Sequence, residues 1–538
     1  MGLNDGDTSD FFQPAPTRPA RRRAVRHKAA ASIVVVLLVV ALVLVGWQTY
    51  LNSCRGFAWP DRALTRSDGE CIGWYDEKAF AYFPGIADIT DRIASENRRV
   101  SDTGNPYVRV AVFMPLTARD LGDAMTPETI RHSLEGAHVA QLRANTPAEI
   151  LATAPLIQLV PVNIGRDQKQ WSRMLPVVSS MARAGKHPLV AAVGLGVSLA
   201  ATKEAADALS ELPVPAVGAV ITANNVTAKN MFVVSPSNLD YVNALREHIT
   251  ATAETAAAKK AGNDPPPISA DRKALKSGTA ILVYDTTEGD NYATTLADSF
   301  RTQLPGYLDG REVGFKGSIQ PNGEITADFG PVRTTLCLTE ADMIFYAGRD
   351  RDLTSLITAV ATRKSSCKTV KKLTILTGAT GLAEFQRDQP LQDQMRKNDI
   401  TVIDASATYA RRWLSGAEAP PGFDAFRTAF EKYAAATRQT VDVLDDGYLI
   451  MHHDAVLAVV TAARTAVIDQ KDNKEPVAKD VLRTLRNLNV PPAVVRGASG
   501  DIGFNGTSGW PHGKPVPIIE IPEPQQAAAK PPPVYLSP

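Results

Sequence analysis

The feature that most constrains this chain is an alternation. Between residues 108 and 405 short apolar runs are separated, again and again, by stretches of helical periodicity. The runs at 108–116, 156–164, 189–196, 214–220 and 230–237 read as strands, with helices expected over 127–145, 168–184, 200–212 and 240–260. Thr126 followed by Pro127 is an N-cap with proline at the first helical position. After 261–277, a Pro- and Gly-containing loop or linker, the pattern resumes. Strands are expected at 279–285, 311–319, 341–348, 372–378 and 400–405, with helices over 292–303, 353–364 and 382–398. Strands that alternate with helices across short loops form βαβ units with parallel sheets. About four units precede the linker and about four follow it. The expected fold class is therefore α/β, with two doubly wound parallel-sheet lobes. Further helices are expected over 423–436, 448–467 and 477–488, and strands near 502–504 and 516–521.

The stretch 188–209, PLVAAVGLGVSLAATKEAADAL, concentrates the chemistry. A buried strand ends at Gly194 and Gly196, and Ser198 stands where an N-cap is expected. A helix start presents unpaired N–H groups, so this turn is a candidate anion site and one wall of a ligand cleft. Other readings of the stretch are weaker. Gly196-Val197-Ser198-Leu199-Ala200 is one glycine short of a nucleophile elbow, and the candidates for a base are His453, next to Asp454, and His512, with His452 and His453 falling inside an expected helix rather than on a loop after a strand. A serine hydrolase using Ser198 is a remote alternative. The third small residue of a dinucleotide fingerprint is missing, and neither a Walker A sequence nor HExxH occurs. Asp445-Asp446 reads as a solvated helix start rather than a metal site. No cofactor, metal or catalytic residue is expected.

Upstream, residues 29–53 carry no charge, long enough for a helix to cross a hydrocarbon layer of about 30 Å. Arg18, Arg21, Arg22, Arg23, Arg26 and Lys28 precede it, and Trp47 and Tyr50 close it. These flanks imply a single-pass signal anchor with a disordered cytoplasmic tail at 1–28 and everything beyond residue 54 outside the plasma membrane. The rivals are a cleaved signal peptide, against which the long core and the lack of an A-x-A site count, and cleavage before Cys54 as a lipoprotein. Four cysteines, all on the outer side, allow three pairings, of which the local pairs Cys54–Cys71 and Cys337–Cys367 are favoured over buried thiols. A net charge of +1 and the lack of a basic-aromatic patch disfavour nucleic acid. The remaining divisions are a juxtamembrane segment at 54–106 packing on the outer face, lobe 1 at 107–260, lobe 2 at 278–420, a return to lobe 1 at 421–495, closing strands at 496–521 and a disordered Pro-rich tail at 522–538.

The order of these pieces resembles the type I periplasmic-binding proteins, specifically the branched-chain amino-acid-binding family of ABC importers. The resemblance is carried by VRVAVFMPLT (108–117), LEGAHVAQLRAN (134–145), VGLGVSLAAT (193–202), VPAVGAVIT (214–222), Asp290-Asn291-Tyr292, Asp454-Ala455-Val456 and GDIGFNGTSGWPHGKPVPIIEI (500–521), and spans about 107–521. It implies a carboxylate-binding role for Ser198, a second hydroxyl contact from Thr222 and a cleft tyrosine at Tyr292. Four positions depart from the family, one of them Ala293 where the family has a glycine after the tyrosine. Arg349 stands in place of its second tyrosine, Thr380 in place of the acid that holds the ligand ammonium, and Asn163 in place of an aspartate after the second strand. Arg349 is expected to pair with an anionic group of the ligand, or else with Asp350 or Asp352. The expected function is extracytoplasmic binding of an amino-acid-like or anionic small molecule for an ABC permease, with lobes closing by hinge motion. The alternative is a membrane-anchored sensor or structural partner of an envelope complex with a degenerate cleft.

Overall fold

A computed structural model describes residues 32–46, 54, 64–75, 84–118, 122–146, 154–260, 280–317, 327–339, 341–367, 372–468, 475–489, 494–524 and 534–538. The expected tail at 1–28 and linker at 261–277 lie outside these residues. Two compact units divide at Gly69/Glu70. The first holds a helix over residues 32–46 with exposed side chains and the strand Leu64–Ser67. Among the described residues no helix is long and apolar enough to cross a membrane. The helix at 32–46 is shorter than the expected span at 29–53, whose flanks fall outside the described residues.

The second unit contains both lobes. The lobe 1 strands are Glu70–Trp74 (β1), Tyr107–Met114 (β2), Leu156–Asn163 (β3), Leu189–Gly194 (β4), Ala216–Gly218 (β5) and Met231–Val233 (β6), in the order β1-β3-β2-β4-β5-β6. Every pairing is parallel except β1 with β3. Along β2, Val108, Val110, Val112 and Met114 enter one core cluster while Ala111 and Phe113 enter another. Both sheet faces are therefore covered, which is why the run reads as continuously apolar rather than alternating. The lobe 2 strands are Ala280–Asp285 (β7), Leu308–Phe315 (β8), Met343–Ala347 (β9), Leu373–Ala379 (β10), Ile400–Ser406 (β11) and Ile518–Ile521 (β12), in the order β12-β11-β10-β9-β7-β8. Here β12 alone runs antiparallel. The expected pair of doubly wound parallel lobes is what the chain forms.

Several boundaries differ from the sequence reading. Helix Ala87–Asp102 (α1), expected on the outer face, belongs to lobe 1, because Ile86, Ile89 and Ile93 are buried in the core. Asn97 ties it to β3 by donating to the Leu159 carbonyl at 2.7 Å and accepting from the Leu159 N–H at 3.1 Å. The helix Asn238–Lys260, assigned to lobe 1 by position, packs against β10 and β11 of lobe 2. Within 522–538, read as an unstructured tail, Tyr535–Leu536 pairs antiparallel with Pro515–Val516. The helix Gly330–Leu338 was not anticipated. Cys337 and Cys367 are bonded as expected, and no described cysteine is free.

The return segment is set by one close approach. Helices Pro127–Asn145 (α2, capped by Thr126 accepting from Thr129 N–H) and Tyr448–Ile468 (α11) pack along their lengths. A Cβ built on Gly136 would stand 2.0 Å from the Leu449 carbonyl oxygen, so only glycine lets these backbones meet. Gly136→Ala is expected to destabilise by at least ~1–3 kcal/mol, the usual cost of overpacking, read as a lower urea midpoint with unchanged slope.

Candidate functional site

The turn after β4 is built from Gly194, Leu195 and Gly196, all with positive φ (92°, 63° and 69°). The buried Gln168 amide fills it. Its Nε2 donates to the Val197 carbonyl at 3.1 Å and to Thr202 Oγ1 at 2.6 Å, and its Oε1 accepts from Val197 N–H at 2.8 Å. The turn places Ser198, which is buried, differently from the expected N-cap. Helix Ala200–Glu211 (α4) is preceded by Leu199 as its cap residue, whose N–H is received by Thr202 Oγ1 at 3.3 Å. Ser198 Oγ instead accepts from the N–H groups of Thr222 (3.0 Å) and Ala223 (3.2 Å). Ser198 thus pins the loop after β5 to the loop after β4.

The expected anion site at the start of α4 is corrected by its partners. Ala200 N–H donates to the Gly289 carbonyl at 2.9 Å, and the Ser198 carbonyl accepts Tyr292 N–H at 3.1 Å. Both bonds cross from lobe 1 to the start of helix Asn291–Gln303 (α6) in lobe 2. Protein occupies the place a ligand carboxylate would take.

Arg349 is likewise corrected. It faces neither a free anion site nor Asp350 or Asp352. Its Nε and Nη2 grip Asp290 at 2.8 and 2.9 Å, with both side chains at most 10% exposed. Asp290 also caps α6, accepting from Tyr292 and Ala293 N–H at 3.1 and 3.3 Å. The guanidinium lies 5.1 Å from the Tyr292 ring centroid, a cation–π distance. The Tyr292 hydroxyl donates to the Gly378 carbonyl at 2.5 Å, at the end of β10. Burial drives its pKa far up, so it stays protonated.

All five expected site residues nevertheless share one hollow. Ser198, Thr222, Tyr292, Arg349 and Thr380 line it together with Asp350, Asp446, Gly381 and Tyr448. It sits beyond the carboxyl ends of β4, β9 and β10, where open α/β sheets bind ligands. About 40 Å3 is open to the centre of a water-sized sphere, room for a few waters. Asp350 and Asp446 are the residues the sequence reading missed. Asp446 bonds His132 Nδ1 at 2.6 Å and accepts Tyr448 N–H at 2.9 Å. Burial pulls the His132 pKa down, but the Asp446 charge and hydrogen bond more than offset this and raise it. With Arg349 already paired to Asp290, the Asp350 and Asp446 carboxylates leave the hollow acidic. Asn163 is structural, accepting from Leu116 and Gly165 N–H at 2.8 and 3.1 Å.

The histidines weighed as hydrolase bases bond elsewhere. His452 meets the Tyr448 carbonyl, His453 meets Asp454 and Arg143, and His512 meets the Asn489 carbonyl. Among the described residues no group of His, Cys, Asp and Glu suits a metal ion.

No protein-family model matches the chain, and no curated protein matches it. Solved structures do. An ABC-transporter substrate-binding protein from Aeropyrum pernix aligns with TM-score 0.51 and 12% identity, over 77% of this chain and 92% of that one. An ABC-transporter solute-binding protein from R. palustris, solved with 4-hydroxybenzoate, aligns with TM-score 0.50 and 11% identity, over 78% and 94%. The chain has the fold of the periplasmic substrate-binding proteins of ABC transporters. A branched-chain amino acid transporter substrate-binding protein from Streptococcus pneumoniae, in complex with isoleucine, aligns at TM-score 0.48 and 14% identity, over 76% and 94%. In this periplasmic-binding-protein fold the hollow lies between the lobes. At such identities the likeness speaks for fold alone.

Proposed function

We propose that the chain is an extracytoplasmic solute-binding protein of an ABC transporter, anchored in the plasma membrane through 29–53 with its N-terminus in the cytoplasm. Its solute carries an ammonium group, as an amino acid or amine does. The observation behind this reading is the charge of the interlobe hollow. Its arginine is spent on Asp290, while Asp350 and Asp446 face the space. A purely anionic solute would meet repulsion there. The hollow is small against the roughly 300–1,000 Å3 of a ligand pocket, so entry requires the lobes to part. That closed state also favours a second reading, a sensor or structural partner in which the lobe contact is permanent.

Thermal denaturation of the purified full chain with amino acids, alkylamines and dicarboxylates separates these readings. A ligand at 100 times its Kd stabilises by about 2.7 kcal/mol. Zwitterions or amines are expected to raise the Tm, and Asp350→Asn is expected to remove most of the gain. Ser198→Ala is a poor probe, because it strands two buried N–H donors at about 1–3 kcal/mol each. Stabilisation by dicarboxylates alone would overturn the charge argument, and no response across the panel would favour the permanent partner.

A further inference from the structure

We propose that the solute is a small amine that carries no carboxylate, so that amino acids are excluded. This narrows the interlobe reading above to one substrate class, and it rests on that reading. Around the hollow the groups that would hold a carboxylate are spent, and the groups that would hold an ammonium are open.

A carboxylate is held by cations or by unpaired N–H groups at a helix start. Four helices begin at the edge of the hollow, and the protein already answers each of them. Ala200 N–H at α4 donates to the Gly289 carbonyl at 2.9 Å. Asp290 caps α6. Asp350 opens the helix Asp350–Ala361 and accepts Arg351 N–H at 2.9 Å. Asp446 precedes α11 and accepts Tyr448 N–H at 2.9 Å. The N–H groups of Thr222 and Ala223 go to Ser198 Oγ, and the Arg349 guanidinium goes to Asp290. A solute carboxylate would have to displace the Gly289 carbonyl, and with it part of the contact between the lobes. A ligand favours the state it binds best, so a carboxylate there works against closure.

An ammonium meets the opposite situation. The Asp350 carboxylate lines the hollow, and among the described residues it accepts only the Arg351 N–H and pairs with no cation. The hydroxyls of Thr222, Thr380 and Tyr448 line the same space and have no hydrogen-bond partner among the described residues. Thr222 is only 3% exposed, so its unpaired hydroxyl is a buried group whose one opening is the hollow. An ammonium brings three donors and no acceptor, and a carboxylate with two hydroxyls satisfies all of them. Seated there it breaks no bond between the lobes. Val197, Val220 and Ala379 give the body of the amine apolar contact. Size sets the upper limit. The 40 Å3 open in the closed hollow holds about three waters at roughly 10–15 Å3 each, hence a solute of about three to five non-hydrogen atoms. Isopropylammonium is of this size, and alanine is the same molecule with one methyl replaced by a carboxylate.

Isopropylammonium, alanine, alaninamide and 2-propanol, titrated calorimetrically into the full chain, test this without any variant. Isopropylammonium is expected to bind at least tenfold more tightly than alanine and than 2-propanol. Alaninamide keeps the shape of alanine without its negative charge and is expected to recover most of that factor. Asp350→Asn should erase the advantage of the amine over 2-propanol, and Thr222→Val should weaken the amine about threefold or more. Alanine binding as tightly as isopropylammonium would overturn the inference and leave an ammonium-bearing solute between the lobes. A tenfold preference over 2-propanol that survives Asp350→Asn would overturn the inference as well. No binding by any of the four, with a flat Tm response to the wider panel of amino acids and amines, would overturn the interlobe reading itself, so the two failures are told apart.

Discussion

Asp454→Ala is expected to lower stability by about 3–5 kcal/mol, the loss typical of stripping one partner from a buried charge network. The carboxylate is the hub of the return segment. Its Oδ1 accepts from Ala498 N–H and His453 Nδ1, both at 2.8 Å, and its Oδ2 from Ser499 N–H at 2.8 Å and Ser499 Oγ at 2.5 Å. Arg143 on α2 reaches the other side of the His453 ring at 2.8 Å. The network therefore joins α2, α11 and the closing segment. Removing the carboxylate takes from Lys514, fully buried, the larger of its two counter-charges and leaves it Asp501 alone. Asp454→Asn with Lys514→Met is expected to recover part of the loss, because no unpaired ammonium remains. Ser499→Ala should cost about 1 kcal/mol. Urea titration of each variant measures all three.

The same helix makes the fold acid-sensitive. Burial alone pushes the Asp454 pKa up, but the His453 hydrogen bond and the nearby Lys514 charge outweigh it and hold it down at about 2. Its contribution, about 2–3 kcal/mol against an ordinary aspartate, is full above about pH 4 and lost as pH falls through 2. Burial also depresses His452, to about 4, and His453. The unfolded chain takes up protons at these rings near pH 6.5 and the folded chain does not, so stability falls as pH drops below about 6.5. Glu384, pushed up to about 8 by desolvation, and buried Asp404, pushed well up by the same cause, act in the opposite direction over the same range. The histidine effect is therefore read as the difference in urea midpoint between the chain and His452→Gln. That difference should narrow as pH falls from 7 to 4, and one that does not change with pH would contradict the buried neutral histidine.

Arg349→Met carries the second large effect, again in the range of about 3–5 kcal/mol. It leaves Asp290 buried with only the Tyr292 and Ala293 N–H groups, and it removes the cation from the Tyr292 ring. Asp290→Asn should be nearly as damaging, since the guanidinium then lacks its bidentate partner. The double variant should be less destabilised than the sum of the two, by a coupling of 0.5–3 kcal/mol. Strict additivity would show that the pair contributes nothing beyond its separate contacts.

Much of the fold was legible in the sequence because buried parallel strands are short apolar runs and the helices between them carry caps such as Thr126. Where packing rather than local pattern decides, the sequence was silent. The strand expected at 311–319 is β8, and its bounds were misplaced because its residues are mostly exposed and its run is poorly apolar. Nothing local says that α1 joins lobe 1, or that the helix starting at Asn238 leans on lobe 2. The candidate site shows the same division. Ser198 was findable from the glycine turn that precedes it, and Thr222, Tyr292, Arg349 and Thr380 through the resemblance to the binding-protein family; the structure brings all five to one hollow. Their partners were not findable. Asp290 lies 59 residues from Arg349, and the Asp446 carboxylate reaches the hollow only because the chain returns to lobe 1.

On the proposed function, the two lobes close on a solute and must part to admit it. A Cβ on Gly289 of lobe 2 would lie 3.7 Å from Ala200 Cβ of lobe 1, the spacing of a disulfide; Gly289 has φ +80°, so a cysteine there is strained by about 1–2 kcal/mol, equally in the oxidised and reduced forms. Ala200→Cys with Gly289→Cys therefore makes a redox lock across the hollow, and the decisive measurement is the Tm gain from the stabilising amino acid or amine in its oxidised and reduced forms. The gain should be present when the lock is reduced, absent when it is oxidised, and indifferent to reductant in a parallel sample with only one of the two cysteines. An oxidised lock that responds to the solute as fully as the reduced one would mean that nothing enters between the lobes.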